Sequence, residues 1–442
     1  MKNNTKKVAL LLAVVMLFAM LPAMAFAAET EVADAAALQT AIDNSAAGDV
    51  IKLTASVTTT ETTITVPADK NVVLDLNGNT LSGYTEQATS TSFEFIKVLG
   101  ALTIRDSATG GKITFSSANP GAPMTKNWYS NVISNRGDLT IEGGTIENAC
   151  ASGSAIYAVD NQAGASLTIE GGKLTSTSTT VRMFNWSNSE ADKVSFTMTG
   201  GEIAAGGGYA INGNFGNAPY VDINISGGTV STADTTYNLD IYLYMADGGS
   251  AANITLNISG GTFADDVAMN GNTAASFDPA KFSISGGEFN EVFNWGDTVA
   301  GTYISGGSFA IAPDLRLIED GYLPAVPADG EHNFEVMPEE QVEAAVDDGS
   351  TADGTFYESL ADAFAAAGDG EEVRVNPNLP TGTVIEIPEG KTATVFTPNG
   401  STVLEAGKYT ATNNGDGTAS YERQAEPVTP ENPGRPNPST GV

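Results

Sequence analysis

The 442-residue chain has one cysteine, Cys150, and one histidine, His332. A lone cysteine cannot form an internal disulfide, so stability has to come from a packed core. Cys150 is expected to be a small residue of that core, and His332 is too far along the chain to pair with it for nucleophilic chemistry. Basic residues are scarce too. Lys and Arg number 20 against 53 Asp and Glu, a net charge of −33. A surface of that sign repels nucleic acid and anionic membrane, and it keeps the chain soluble. Calcium signatures are missing: neither the GGxGxDxUx nonapeptide nor an EF-hand loop occurs. No metal and no cofactor is expected. Helix-period segments are also lacking between the repeats described next, which disfavours a βαβ array or a leucine-rich horseshoe.

What the chain has is glycine, 48 residues of it, and a recurring decapeptide. LTIEGGTIEN at Leu139 returns as LTIEGGKLTS at Leu167, FTMTGGEIAA at Phe196 and INISGGTVST at Ile223. It continues as LNISGGTFAD at Leu256, FSISGGEFNE at Phe282 and TYISGGSFAI at Thr302. The first glycines are spaced 28, 29, 27, 33, 26 and 20 residues apart. Repeats of this length signal stacked units rather than a closed globule. Four and two residues before each pair stand apolar side chains, such as Leu139 and Ile141, with Thr302 the exception; another, such as Ile146, follows three after the first glycine. Alternation of period two marks a strand with one inward face. Glycine suits a sharp corner because it accepts positive φ. Stacking then buries each inward row against the units above and below, which no single unit achieves alone. The expected fold is all-β, a parallel β-helix of about ten coils spaced ~4.8 Å apart.

Residues 1–27 read as a secretory signal peptide: Lys2, Lys6 and Lys7, an apolar run from Val8 to Met20, then Ala25-Phe26-Ala27. An exported protein with no membrane insertion after cleavage follows. From Ala33, a short amphipathic segment with Ala36, Leu38, Ala41 and Ile42 predicts a helix capping the solenoid, which spans 28–320. A module over 321–423 repeats the order of the opening: LADAFAAAGDGEEVRV beside LQTAIDNSAAGDVIKL. It is expected as a small α+β unit or as a C-terminal cap. Residues 424–442 form a Pro-rich tail, expected to be extended.

The opening helix, GDVIKL, ITVPADKNVVLDLNG and the serial ISGG units, over roughly 33–311, resemble exported right-handed parallel β-helix proteins of Gram-positive bacteria, of the pectin-lyase-like class. That resemblance implies an architecture and little about activity, since the fold hosts many functions. The end of the tail, Asn437, Pro438, Ser439, Thr440 and Gly441, resembles the LPxTG sorting signal. Asn437 replaces its leucine, and no hydrophobic span or basic tail follows. The resemblance implies that a sortase joins Thr440 to peptidoglycan, placing the protein at the cell wall or cell surface.

Enzymes of the resembling class would need an Asn-Thr-Asp, an Asp-Asp, a Gly-His-Gly and an Arg-Ile-Lys in successive coils. Only Asp265-Asp266 is present, and it reads as a solvated loop. Arg182 and Lys193 are not flanked by a carboxylate pair at matching repeat positions. No catalytic residue is therefore assigned. Phe184-Asn-Trp186 and Phe293-Asn-Trp295 recur in separate coils, and Tyr242 alternates with Tyr244. Burial is the commoner fate of such rings, whereas exposed rings, Trp186 and Trp295 above all, would stack on sugars. The expectation is a non-catalytic, adhesin-like stalk that binds a polysaccharide or a host or neighbouring surface protein. A polysaccharide lyase or glycoside hydrolase with unfamiliar residues is the alternative.

Overall fold

A computed structural model describes residues 27–60, 62–85, 93–117, 129–150, 155–236, 239–246, 249–269, 278–291, 293–294, 301–330, 333–347, 354–377, 379–397, 400–415 and 418–425. The expected leader, apart from Ala27, and the sorting motif Asn437, Pro438, Ser439, Thr440 and Gly441 lie outside them, as does His332. The chain divides into two compact units, the first running through Gly307 and the second starting at Ser308.

The first unit is a parallel β-solenoid. Its first ladder stacks Glu29–Val32, Asp49–Leu53, Asn71–Asp75, Ala101–Arg105, Asp138–Ile141, Ser166–Ile169 and Val194–Met198, then the leading parts of Val221–Thr232, Ile254–Phe263 and Phe282–Phe289. A second ladder runs from Val57–Thr60 through Thr80–Thr85, Lys112–Ser117, Thr145–Asn148, Lys173–Ser176 and Glu202–Ala205 into the trailing parts of the same long strands. Among the described residues, a third sheet holds nine strands, from Ile64–Val66 to Phe293–Asn294. Nine strands make eight turns from first to last, fewer than the ten or so expected. The seventh Gly-Gly unit, in the strand Ile304–Phe309, still stacks on the sixth, a Cβ on Gly306 lying 2.4 Å from the Ser285 carbonyl oxygen. There Ser308 and Phe309 pair antiparallel with Glu335 and Phe334, so the chain leaves the parallel stack.

The repeat rows form the core. Leu102, Leu139, Leu167, Phe196, Ile223, Leu256 and Phe282 stand in register, one above the next, all buried. At the last unit the chain slips by one residue. Thr302 is exposed, and Tyr303 enters the core against Phe282, their rings 6.0 Å apart. Cys150 is fully buried.

The two corner glycines answer different demands. The second has positive φ in every unit, from 77° at Gly172 to 104° at Gly287, where a β-carbon is strained. The first glycine does not. It lies so close to the coil beneath that a Cβ on Gly200 would sit 2.4 Å from the carbonyl oxygen of Glu170, and one on Gly227 at 2.4 Å from that of Thr199. Gly143, in the first full unit, meets nothing nearer than 3.4 Å. Close backbone approach, as well as dihedral freedom, keeps the pair glycine.

The capping helix spans Ala35–Asn44. The Asp34 carboxylate accepts from the Ala37 N–H at 2.8 Å, and Leu38 and Ile42 are buried. Its Gln39 amide meets the edge of Ile64–Val66 as another strand would. Nε2 donates to the Thr65 carbonyl and Oε1 accepts from the Thr65 N–H, each at 2.9 Å. An open edge is thereby satisfied without offering a template for a further chain.

In the second unit the helix Leu360–Ala366 packs Leu360, Ala363 and Phe364 on a mixed sheet, against Val373, Val375, Ile385 and Val395. Helix followed by strand repeats the opening order, but the pairing differs. Glu372–Val375 lies antiparallel to Ala344–Asp347 and parallel to Val384–Thr397, which forms an antiparallel hairpin with Gly400–Asn413.

Candidate functional site

The third sheet is where the solenoid carries chemistry. Strand Val181–Asn185 turns Val181, Met183 and Asn185 inward, and all three are buried. An inward asparagine is tolerated because its amide is used: Asn185 Nδ2 donates to the carbonyls of Asp192 and Tyr220, at 2.9 and 3.0 Å. Asn135 and Asn161, stacked in neighbouring coils, behave alike, with Asn135 Nδ2 donating to Asn161 Oδ1 at 2.8 Å. With these positions inward, Arg182, Phe184 and Trp186 project outward.

Trp186 is 55% exposed. Its indole N–H donates to Asn214 Oδ1 at 2.7 Å, and its ring stacks on Phe184 at 6.4 Å and 21°. The Arg182 guanidinium lies 4.7 Å from the Phe184 ring centre and 4.6 Å from that of Tyr157, a cation–π sandwich. Asp160, fully buried, grips this guanidinium with both oxygens: Nε donates to Oδ1 at 2.7 Å and Nη2 to Oδ2 at 2.8 Å. Asn131 Nδ2 and Gln162 Nε2 also donate to Asp160 Oδ2, at 3.0 and 2.9 Å. Burial raises the Asp160 carboxyl to about 7 and lowers Arg182 to about 10. A guanidinium is the more basic partner of any carboxyl and keeps the proton. Tyr157 is raised by burial and by the Asp160 charge. Beside this pair, Arg136 Nη2 donates to Glu94 Oε1 at 2.5 Å, and its Nε to Gln162 Oε1 at 2.7 Å. A chain of contacts thus links four charged groups to one exposed indole.

Arg182 has one carboxylate, though not a pair, at the matching position of the preceding coil: Asp160 and Arg182 are register partners in adjacent strands. Of the other residues singled out from sequence, Trp295 lies outside the described residues. Asp265 acts as a turn cap rather than a solvated loop: Oδ2 accepts from the Thr232 N–H of the coil before, at 2.9 Å. Its own N–H donates to Asp240 Oδ2 at 2.9 Å. The residues that sequence reasoning missed are Asp160, Asn131, Gln162 and Asn214, whose partners in neighbouring coils lie 22 to 29 residues away along the chain.

Asp240 is fully buried, and burial, then the Asp265 charge beside it, push its carboxyl from the ordinary 3.8 up to about 8. The folded chain therefore holds a proton there that the unfolded chain has already released. Stability from this group is full below pH ~4 and falls as pH rises towards about 8. Asp240→Asn should remove that slope and raise stability at pH 9 by on the order of 2 kcal/mol, read by urea denaturation at pH 5 and pH 9. An unchanged slope would refute the assignment.

Among the described residues, no group of three or more His, Cys, Asp or Glu is placed to hold a metal ion, and no helix is long and apolar enough to cross a membrane. No family model, curated protein or solved structure matches the chain.

Proposed function

We propose that this chain is an exported, wall-attached β-solenoid of a Gram-positive bacterium that binds glycans through the outer face of its third sheet, without catalysis of its own. The observation that carries the reading is Trp186. A large indole half open to solvent is held at its N–H by Asn214, backed by Phe184 and braced through Arg182 onto buried Asp160. A ring fixed in advance loses little freedom on binding, and its open face suits the C–H face of a sugar. The leader and the sorting-like motif support export and attachment.

The paired Asp160–Arg182 and Glu94–Arg136 groups favour a second reading, a polysaccharide-cleaving enzyme. Against it, the Asp160 carboxylate already accepts from Arg182, Asn131 and Gln162 and has no exposed surface, so it offers no oxygen to a substrate.

A glycan array probed with the full chain, with product release assayed for each hit, tests both. Binding without turnover is expected. Trp186→Ala should weaken binding at least tenfold and change stability by no more than about 0.5 kcal/mol, because the ring is exposed. Turnover of any bound glycan would overturn the non-catalytic reading.

A further inference from the structure

The outer face of the third sheet is ordered along the stack as well as along its strands. Gln162, Phe184, Asn214 and Tyr244 are register partners across four successive coils, and Asp160, Arg182, Asn212 and Tyr242 form a parallel row beside them. Trp186 stands one step past Phe184's strand, and Tyr242 stacks on Tyr209 with ring centres 4.5 Å apart. Neighbouring members of a row lie one strand spacing apart, so four coils span ~14 Å from first to last. Half-buried amides and rings alternate along that length.

The charges within these rows are committed to each other. Asp160 holds Arg182, and beside Gln162 the Arg136 guanidinium is on Glu94. Lys97 falls in the Asp160 row two coils earlier, outside these four coils. Recognition of a polyuronate or sulfated chain calls for cations not already paired, and a net charge of −33 opposes the approach of a polyanion.

We propose that the two rows form a track for a linear, uncharged polysaccharide lying parallel to the stacking direction, its rings on Trp186 and Tyr244 and its hydroxyl or acetamido groups on Asn212 and Asn214. This rests on the glycan-binding reading and adds to it the length, direction and charge of the ligand. A linear chain engages successive coils with one sugar after another, so affinity depends on how many coils it reaches.

The test is calorimetric titration of the full chain with linear neutral hexose and N-acetylhexosamine oligomers of two to six units, and with oligogalacturonates of the same lengths. Neutral affinity should climb about tenfold from disaccharide to tetrasaccharide and then level off, with the uronates at least about tenfold weaker. Tyr244→Ala should erase the gain with length, whereas Trp186→Ala should weaken every length. Affinity independent of length, equal loss for all lengths in Tyr244→Ala, or tighter binding of the uronates would overturn the track while leaving glycan binding standing. Failure of every oligomer, neutral and acidic, would overturn both.

Discussion

Gly200→Ala is expected to destabilise the solenoid by about 3 kcal/mol or more, while Gly143→Ala, at the equivalent position of an earlier coil, changes stability by less than about 1 kcal/mol. The sequence context is the same Gly-Gly corner in both. The difference lies beneath it. A methyl on Gly200 would meet the Glu170 carbonyl oxygen at 2.4 Å, and that oxygen belongs to a corner tied to the coil before it by the Glu170 N–H to Ile141 carbonyl bond, so it has little room to move. The same methyl on Gly143 would find its nearest neighbour at 3.4 Å, an ordinary contact. Neither position has positive φ, so dihedral strain does not enter the comparison. Urea denaturation followed by far-UV circular dichroism decides the matter. Equal losses would mean that the first glycine serves the turn and not the stack.

The second large effect is expected at the buried pair. Arg182→Ala should cost about 3–5 kcal/mol, because it leaves the fully buried Asp160 carboxylate facing only Asn131 and Gln162. Replacing both partners together, Asp160→Leu with Arg182→Met, should recover only part of that loss, since an apolar pair needs no desolvation but takes the acceptor from the buried Asn131 amide. If the pair exists to brace the aromatic shelf, the double variant should fold well and still bind glycan more weakly, because Phe184 has lost the cation behind it. Thermal unfolding and glycan titration of the same preparations separate these effects. Full binding by the double variant would reduce the pair to a core contact.

Much of the solenoid can be read from its repeats. Ile141, Ile169, Met198 and Ile225 fall two residues before each corner and stack inward in register, as alternation requires. The third sheet hides from the same reasoning for a specific reason. Its inward positions include Asn135, Asn161 and Asn185, whose amides satisfy each other and the backbone at the turn into the first ladder. Polar residues inward and aromatic residues outward invert the usual alternation, so Phe184-Asn-Trp186 looks like core and is surface. The brace was hidden differently. Asp160 and Arg182 are 22 residues apart, and only the register between adjacent coils brings them together. The need for two glycines was legible as a corner, but the carbonyl that forbids a methyl on the first belongs to the preceding coil and leaves no mark in the local sequence.

The in-register ladders also bear on how such a chain changes its length over generations. Each coil finds its place by matching the rows of the coil before it, Leu139 on Leu102, Leu167 on Leu139, Phe196 on Leu167. Nothing in a coil states its ordinal number. A copied or lost segment that begins and ends at equivalent corners presents its neighbours with the same rows they already match, whereas one cut elsewhere shifts inward residues out. The unit whose gain or loss the architecture tolerates is the whole coil, and the unequal spacings between corners, 20 to 33 residues, are taken up in the loops.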